Sequence, residues 1–434
     1  MSMFNLSRRT LLGASALSLG ALATSFPSLA LANTTPLASI KLGYMQSPKK
    51  LVFINLTGAP DGLELLPAYG DPSFQELRGN LYRGAPGVGG IAPLALNNTF
   101  AVSGKLPFFK TLYNSGQYLP IHAAGFAHTS RSHFDAQKTL QNGTLSTNNK
   151  NGGWLNRAMQ VIIEKAKLDA SVAPLLTFVP YASAPLLARG TAVPLIVEPG
   201  STPYLQQEYY NTLFSSLYGG SAPDLQAPYS KQTALHHALQ LRQLLADYVS
   251  KVDNSGGLDT AIRRMSSETE KAAVIGKLFS LPDGPRLATL QIGSWDSHAN
   301  QNLEGSYGEL LSALNNTVKA LQSNMGNEWK NCVVIAGGEF GRTCRVNGTE
   351  GTDHGIGTAW HLLGGAVNGG RVLADWPGLE AANMVEGRYL KPTTNMLGIF
   401  KGVLKDGFGL NSTDLDTIFP GSSAVAPVAG LLRV

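Results

Sequence analysis

The feature that most constrains the fold is a series of short apolar runs that alternate with segments of helical periodicity. The runs are LVFINL (51–56), YLPIHAA (118–124), PLLTFVP (174–180), VPLIVE (193–198), RLATLQIG (286–293) and CVVIAGG (332–338). Apolar residues recur at spacings of three and four in 152–170, 232–252, 260–281 and 307–325. Continuous apolar runs bounded by turn residues are typical of strands buried on both faces. The alternation predicts an α/β fold: an α/β/α sandwich with a mostly parallel central sheet.

The length of 434 residues suits one large α/β domain, which we assign to residues 33–434. Residues 199–285 show helical periodicity without a strand, and we expect them to form a helical insert or cap over the sheet edge. Residues 83–104 are a Gly/Pro-rich loop, and residues 407–434 form an apolar, turn-rich tail without a predicted shape.

The first 32 residues have the features of an export signal. Residues 7–12 read SRRTLL, a twin-arginine pattern, and an uncharged apolar stretch leads to Ala30-Leu31-Ala32, a small-x-small cleavage signature. A membrane anchor over residues 10–32 is the alternative, which the Gly, Ser and Pro content disfavours. The sequence therefore predicts a periplasmic or secreted protein with no stable membrane span after cleavage.

The charge of the chain argues against a nucleic-acid partner. Charged residues make up 15% of the sequence, and the formal net charge of +5 falls to +3 when Arg8 and Arg9 leave with the signal. Nucleic-acid binding requires a clustered basic surface, which the sequence lacks. Cys332 and Cys344 could pair in an oxidising compartment, or Cys332 could simply be buried in its strand.

Polar residues occur in the segments that follow four of the predicted strands. In a parallel sheet, the loops after the strands meet at one edge, where ligands collect. Carboxylates and imidazoles there suggest divalent-metal ligands. The candidate metal ligands are Asp61, Asp296, His298, Glu339, Asp353 and His354. A turn role for Asp61, a helix-cap role for Asp296 and an ion pair between Glu339 and Arg342 are the alternatives; Arg342 is also a candidate catalytic residue.

The segment GTEGTDHGIGTAWH (348–361) places Asp353 and His354 among four glycines. Glycine lets the backbone turn tightly and approach other groups closely, so both side chains could fold back onto a metal. An ordinary surface turn is the alternative interpretation. Of the remaining histidines, His122 is expected in the core, and His361 stays open.

The stretch SRSHFDAQ (130–137) predicts the start of a helix. Free backbone N–H groups and the helix dipole favour an anionic oxygen there, so Ser132 is a candidate nucleophile. Arg131 could clamp the nonbridging oxygens of a phosphate or sulfate ester. The alternative is a capping box between Ser132 and Asp135, which does not exclude reactivity. His236 and His237 lie within a helical pattern and are expected to be structural.

Several stretches resemble the twin-arginine-exported family known as domain of unknown function 1501. They are SRRTLL, GAPDGLELLPAYGDP, RSHFDAQKTLQNG, GSWDSHANQ, GGEFGRT and NGTEGTDHGIGTAWHLLGGAVNGGRVLADWPGL. That family is grouped with the alkaline phosphatase and sulfatase superfamily. The resemblance implies an alkaline-phosphatase-like α/β/α sandwich that holds one or two divalent metals, with zinc, manganese or calcium as candidates.

The resemblance also implies roles for single residues. Asp61 resembles the first-strand acidic ligand, and Ser132, or less closely Ser130 or Thr129, resembles the nucleophile. Asp296 with His298, and Asp353 with His354, resemble the metal-binding pairs. The spacing between Asp296 and His298 is shorter than the superfamily pattern, and Glu339 stands where an Asp-His pair is expected.

The expected function is an exported, metal-dependent hydrolase of phosphate or sulfate esters that acts on a small-molecule or polymer substrate. Either a serine or a metal-activated water would attack the ester. The alternative is a non-catalytic exported protein on the same scaffold, with a protein partner in envelope or surface-polymer assembly. A Ser-His-Asp esterase is a weaker reading, because no G-x-S-x-G elbow occurs.

Overall fold

The computed structural model describes residues 47–126, 130–144, 146–147, 152–168, 173–199, 251 and 257–433. The predicted signal over 1–32, most of the predicted insert, His128, Thr129, His236 and His237 lie outside the described residues. Within the described part, no helix is both long and apolar enough to cross a membrane.

Within the described ranges, eight strands form one sheet in the order β10-β4-β9-β8-β1-β7-β5-β6, and a two-stranded ribbon pairs β2 with β3. The strands are β1 (Lys50–Leu56), β2 (Leu94–Ala95), β3 (Ala101–Val102), β4 (Tyr118–Gly125), β5 (Thr177–Val179), β6 (Leu195–Ile196), β7 (Leu287–Ile292), β8 (Cys332–Gly337), β9 (Thr358–Leu363) and β10 (Thr394–Asn395).

The sheet is mostly parallel. The central strand β1 pairs in parallel with β7 through Leu51 and Leu287, and with β8 through Leu51 and Val333. Among the described strands of this sheet, only β9 is antiparallel to its neighbours, β4 and β8. The sequence predicted every strand that flanks the site except β9. Residues 358–363 of β9 begin at the end of the glycine-rich segment.

The described helices are α1 (Gly62–Leu65), α2 (Phe74–Arg78), α3 (Pro107–Asn114), α4 (His133–Asn142), α5 (Trp154–Lys165), α6 (Ala173–Leu176), α7 (Gly257–Arg264), α8 (Glu268–Phe279), α9 (Ser306–Met325), α10 (Met396–Phe408) and α11 (Ser412–Ile418). The sequence predicted one helix over 260–281, but two form. Ser267 caps α8 with Glu270 in a capping box, so the chain restarts there. The tail over 407–434, left without a predicted shape, contains the last two residues of α10 and all of α11.

Helices cover both faces of the sheet. Trp360 and His361 are consecutive on β9, so their side chains point to opposite faces. Trp360 contacts Phe400 of α10, whereas His361 contacts Phe109 of α3. On the α3 side, α8 and α9 pack against each other and against β7. The α/β/α fold class is therefore confirmed, and α8, the last helix of the predicted cap, belongs to a layer on the sheet.

The core residues are largely those of the predicted strands. Every residue of β1, β4 and β8 is buried. The aromatic centre of one face consists of Phe53, Trp154, Phe400 and Trp360. Packing on this scale fixes the strands rigidly, and so it fixes the loops that leave their carboxyl ends.

Candidate metal centre

The carboxyl ends of β4, β7 and β8 bring their following loops to one edge of the sheet. His133 opens α4 after β4, and Asp296 and His298 follow β7. The long loop after β8 then returns His354 to the same place, where Arg342 and His354 form an isolated antiparallel bridge. Residues far apart in the sequence thus converge, as the parallel sheet predicts.

Three imidazole nitrogens and one carboxylate meet at this edge. The Nε2 atom of His354 lies 3.0 Å from Nε2 of His133 and 3.1 Å from Nε2 of His298. Asp296 places Oδ1 3.0 Å from His298 Nε2 and 3.2 Å from His354 Nε2, and Oδ2 3.3 Å from His133 Nε2. His133, Asp296 and His354 offer ligand atoms that all lie within 4.8 Å of one another. We call His133, Asp296, His298 and His354 the His₃Asp cluster.

The outer nitrogen of each imidazole faces a hydrogen-bond acceptor. His133 Nδ1 lies 2.7 Å from Glu339 Oε1, and His298 Nδ1 lies 3.2 Å from Asp353 Oδ1. His354 Nδ1 lies 2.8 Å from the carbonyl oxygen of Arg131. An acceptor at Nδ1 holds the proton there and leaves a lone pair on Nε2, which is the arrangement found behind metal-bound histidines.

This arrangement fits a cation. With protons on the three Nδ1 atoms, neutral rings would point lone pairs at one another across about 3 Å, which is repulsive. A second proton on His133 would satisfy its contact with His354 but would leave the contact between His298 and His354 unexplained. A metal ion would satisfy all three nitrogens and the Asp296 carboxylate together.

Electrostatics keep Asp296 in the form that binds metal. Burial would raise its pKa, but the hydrogen bond and the charge of Arg342 outweigh burial and lower the pKa to about 2. The bond to Glu339 raises the pKa of His133 despite partial burial. Burial lowers the pKa of His354. Asp296 is thus ionised at neutral pH, and His354 is neutral, as ligation requires.

Arg342, predicted as catalytic, has a different place. Its side chain is 1% exposed, and it donates to the carbonyls of four residues and, at 2.6 Å, to Asp296 Oδ1. The four carbonyls belong to Gly58, Ala59, Trp295 and Thr352. A guanidinium engaged in this way cannot also clamp a substrate. Arg342 joins the loops after β1 and β7 and holds Asp296, and it does not pair with Glu339 as the alternative proposed.

Asp61, predicted as a metal ligand, lies in a buried polar network instead. Its carboxylate caps α1 through the N–H of Leu63, and it forms an ion pair with Arg78 at 2.5 Å. Gln301 donates to the same oxygen as Arg78 at 2.8 Å. The side chain is 2% exposed and makes these contacts in place of any with the His₃Asp cluster. The structure therefore excludes Asp61 from the cluster and supports a structural role for it.

Glu339 and Asp353 were also predicted as ligands, but both stand behind the imidazoles. Glu339 is buried and accepts from Gly58 N–H at 3.0 Å, Gln137 at 2.7 Å and His133. Asp353 accepts from His298 and from Asn347 at 3.2 Å. Carboxylates in this position orient a ligating ring and raise its basicity. Of the six predicted ligands, Asp296, His298 and His354 face the cluster.

The candidate nucleophile lies in the loop that carries His133. Ser132 is the N-cap residue of α4, but its side chain makes no capping hydrogen bond, so the alternative capping box with Asp135 does not form. Its neighbours contact the cluster on both sides, through the Arg131 carbonyl and the His133 ring. Among the described residues, Nη1 of Arg131 has no hydrogen-bond partner; it is buried and lies 3.8 Å from Glu386.

His133 is the cluster residue that sequence reasoning did not select. It stands in the quoted stretch SRSHFDAQ, at the first helical position after a strand, which was the available signal. Two other histidines are structural. His122 is buried and bonded to the Leu66 carbonyl, as predicted, and His361 is buried with Nδ1 2.6 Å from the Tyr118 hydroxyl. Burial lowers both pKa values to about 3.

The glycines around Asp353 and His354 are needed because of close backbone approach. A Cβ on Gly351 would lie 2.2 Å from the carbonyl carbon of His298, and one on Gly355 would lie 2.4 Å from that of Arg342. Any larger residue at these positions would push this segment away from the loop after β7 and from the first residues that follow β8. The glycines thus place His354 within reach of Asp296.

A model of the family described as "Protein of unknown function (DUF1501)" matches residues 222–419, a little less than half of the chain. The matched segment contains Asp296, His298 and His354 but not His133. None of the curated proteins compared matches this chain.

Solved structures give distant similarities. A protein in the alkaline phosphatase superfamily from Vibrio parahaemolyticus is 8% identical, with 93% of this chain and 76% of that chain covered and a TM-score of 0.37. A Bacteroides thetaiotaomicron protein described with the metabolism of multiple glycosaminoglycans is 10% identical, with coverage of 87% and 75% and a TM-score of 0.33. The phosphonate monoester hydrolase of Agrobacterium radiobacter is 12% identical, with coverage of 84% and 74% and a TM-score of 0.27. These scores are low, so the fold assignment rests on the chain's own sheet order.

Proposed function

We propose that this protein is a metal-dependent hydrolase of phosphate or sulfate esters, with the metal held by the His₃Asp cluster. The observation that supports the proposal is the orientation of the three imidazoles, each of which is held at Nδ1 and presents Nε2 to the same place as the Asp296 carboxylate. The substrate class is inferred from the sequence resemblance, and small-molecule and polymer esters are both candidates.

The donor set discriminates among the expected metals. Imidazole nitrogens suit zinc and other transition metals, whereas calcium takes oxygen ligands almost exclusively. Three nitrogens and one carboxylate therefore favour zinc first and manganese second over calcium. The side chains of the cluster are 26% to 47% exposed, so a substrate in solvent can reach a metal held there.

The protein's own groups suit an anionic ester. Arg131 has a buried Nη1 that meets no hydrogen-bond partner in the described part of the chain and can donate to a nonbridging oxygen. The Ser132 hydroxyl is not committed to capping, and it stands at the positive end of α4, where a developing alkoxide is stabilised. A bound divalent ion would supply Lewis-acid neutralisation of the ester's charge.

The test is elemental analysis of the purified protein followed by a screen of nitrophenyl phosphates and sulfates with and without EDTA. We expect about one equivalent of zinc or manganese and turnover that EDTA abolishes. His354→Ala should lose both metal and turnover. If the protein binds metal but hydrolyses none of the esters, the hydrolase proposal is refuted and the non-catalytic scaffold remains as the alternative. Full turnover in Ser132→Ala would assign the attack to water instead of serine.

We further propose export through the twin-arginine route to the periplasm or beyond. The support is the SRRTLL pattern and the cleavage signature at residues 30–32. Replacing both Arg8 and Arg9 by Lys should retain the uncleaved protein in the cytoplasm. Unchanged export of that variant would refute the route. No nucleic-acid partner is expected.

A further inference from the structure

A short hairpin stands beside the His₃Asp cluster and was not singled out by the sequence. Val385 and Tyr389 pair through N–H···O bonds of 2.9 and 3.0 Å, and Glu386 and Gly387 turn the chain with φ of 55° and 63°. We call residues 385–389 the 385–389 hairpin. It is fastened to the segment after β8, since Cys344 N–H donates to the Arg388 carbonyl at 3.1 Å.

One side of the hairpin holds Arg131. The Arg131 guanidinium lies over the Tyr389 ring, 4.6 Å from its centroid, and Nη1 lies 3.8 Å from Glu386 Oε2. The carbonyl of the same arginine faces His354 Nδ1 at 2.8 Å. The position of Arg131 therefore decides where the acceptor for His354 stands.

The other side of the hairpin holds the acceptor for His298. Nη2 of Arg388 lies 3.5 Å from Asp353 Oδ2, while Oδ1 of that carboxylate faces His298 Nδ1 at 3.2 Å. The Arg388 guanidinium is also 5.5 Å from the Tyr389 centroid. Both arginines thus share one aromatic ring, and each leads to a different imidazole of the cluster.

We infer that the 385–389 hairpin is a positioning device that sets the metal affinity of the cluster through Arg131 and Asp353. The inference rests on the proposed metal centre. Glu386, Arg388 and Tyr389 contact neither Nε2 atoms nor Asp296, so they act through the acceptors at Nδ1 and are not ligands.

The expected size follows from the kind of contact. Each ion pair is more than one-third exposed on both partners and contributes little to stability by itself. Removing a direct partner of a metal-bound histidine costs about 10- to 100-fold in affinity. The hairpin residues contact the acceptors and not the histidines themselves. The loss of metal affinity should therefore be near the lower limit, about tenfold for the Glu386 side and for the Arg388 side alike.

The experiment measures zinc affinity by competition with a chromogenic chelator, with Arg388→Gln and Glu386→Gln as the variants. Arg345→Gln is the matched control, because Arg345 also forms an exposed ion pair, with Glu76 at 2.6 Å, in the same part of the surface. A second readout is the visible absorption of the cobalt-loaded protein, which reports ligand geometry independently of turnover. Melting temperatures of the metal-free variants check the fold.

We expect zinc binding about tenfold weaker in Arg388→Gln and in Glu386→Gln, altered cobalt spectra, and no change in Arg345→Gln. If the wild type binds zinc and both hairpin variants bind it with the same affinity, the inference is overturned, but the proposed metal centre is not. An equal loss in Arg345→Gln would also overturn it, because the effect would then be general. Wild-type protein that binds no zinc would refute the metal centre itself, and the inference with it.

Discussion

His133 donates from Nδ1 to Glu339 across 2.7 Å, and this bond directs the opposite nitrogen of the ring into the His₃Asp cluster. The pair reverses the expectation from the sequence, in which Glu339 was a ligand and His133 had no role. The carboxylate accepts from three donors in all, so its orientation is fixed by the loop after β1, by α4 and by the imidazole together.

Glu339→Gln should weaken zinc binding about 10- to 100-fold. The amide of the new side chain carries two N–H donors, and one of them would face a donor from Gly58, Gln137 or His133. The measurement is chelator competition on the folded variant. Glu268→Gln, which changes a carboxylate bonded to Lys271, serves as the control. Unchanged affinity in Glu339→Gln would show that Glu339 does not orient the ring.

His298→Ala should purify with little or no metal, whereas His361→Gln should keep the wild-type metal content per folded molecule. The reason is that His298 presents Nε2 to Asp296 at 3.0 Å, while His361 is buried against Tyr118 in the core. Elemental analysis after gel filtration distinguishes the two. Metal loss in His361→Gln at an unchanged melting temperature would make His361 a candidate ligand.

Arg342→Met should destabilise the protein by about 3–5 kcal/mol, the cost of breaking a buried pair and leaving its partner without compensation. Four backbone carbonyls and Asp296 would lose their donor together. Urea unfolding of the metal-free proteins measures the effect. Arg342→Lys should also be destabilised, since one ammonium cannot span the five acceptors. Wild-type stability with lost turnover would instead support the catalytic role that the sequence suggested.

The stability of the metal-free protein should fall as pH rises from about 4.5 to about 7 through Glu64. Burial raises the pKa of Glu64 from 4.5 to about 7, in spite of the charges of Arg83 and Arg78. The folded state then holds a proton that the unfolded state releases, so the unfolding free energy declines through this window. The slope is at most about 1.4 kcal/mol per pH unit for one group.

Urea unfolding at pH 5, 6 and 7 in EDTA measures that slope. Glu64→Gln removes the titrating group, so its unfolding free energy should decline less between pH 5 and 7 than that of the wild type. Parallel curves for the two proteins would show that Glu64 does not titrate in this range. EDTA is needed because metal binding carries a pH dependence of its own.

Cys332 and Cys344 should both react with a thiol reagent only after unfolding. The structure shows two free, buried cysteines, which corrects the suggestion that they could pair. Burial raises the pKa of Cys344 to about 12 and that of Cys332 further, so little thiolate exists at neutral pH. Native protein should show no fast-reacting thiol, and urea should release two. If no thiol reacts in urea without reductant, the two cysteines form a disulfide.

The sequence by itself determined the layers of the fold and the edge at which the site lies. A strand buried on both faces must be apolar along its length. The local sequence is therefore enough to predict strands at buried runs such as residues 51–56 and 332–338. Parallel strands then force their following loops to one edge, which is why Asp296, His298 and His354 could be selected in advance.

Only the tertiary structure decided which polar groups face inward. His133 and Glu339 are 206 positions apart, and nothing local distinguishes the ring that faces the cluster from the carboxylate that stands behind it. Asp61 and Arg342 follow strands as the other candidates do, yet each meets buried partners that use its hydrogen-bonding capacity. The physical reason is that side-chain direction and hydrogen-bond partners depend on contacts between distant segments, whereas the sequence pattern reports only burial along one segment.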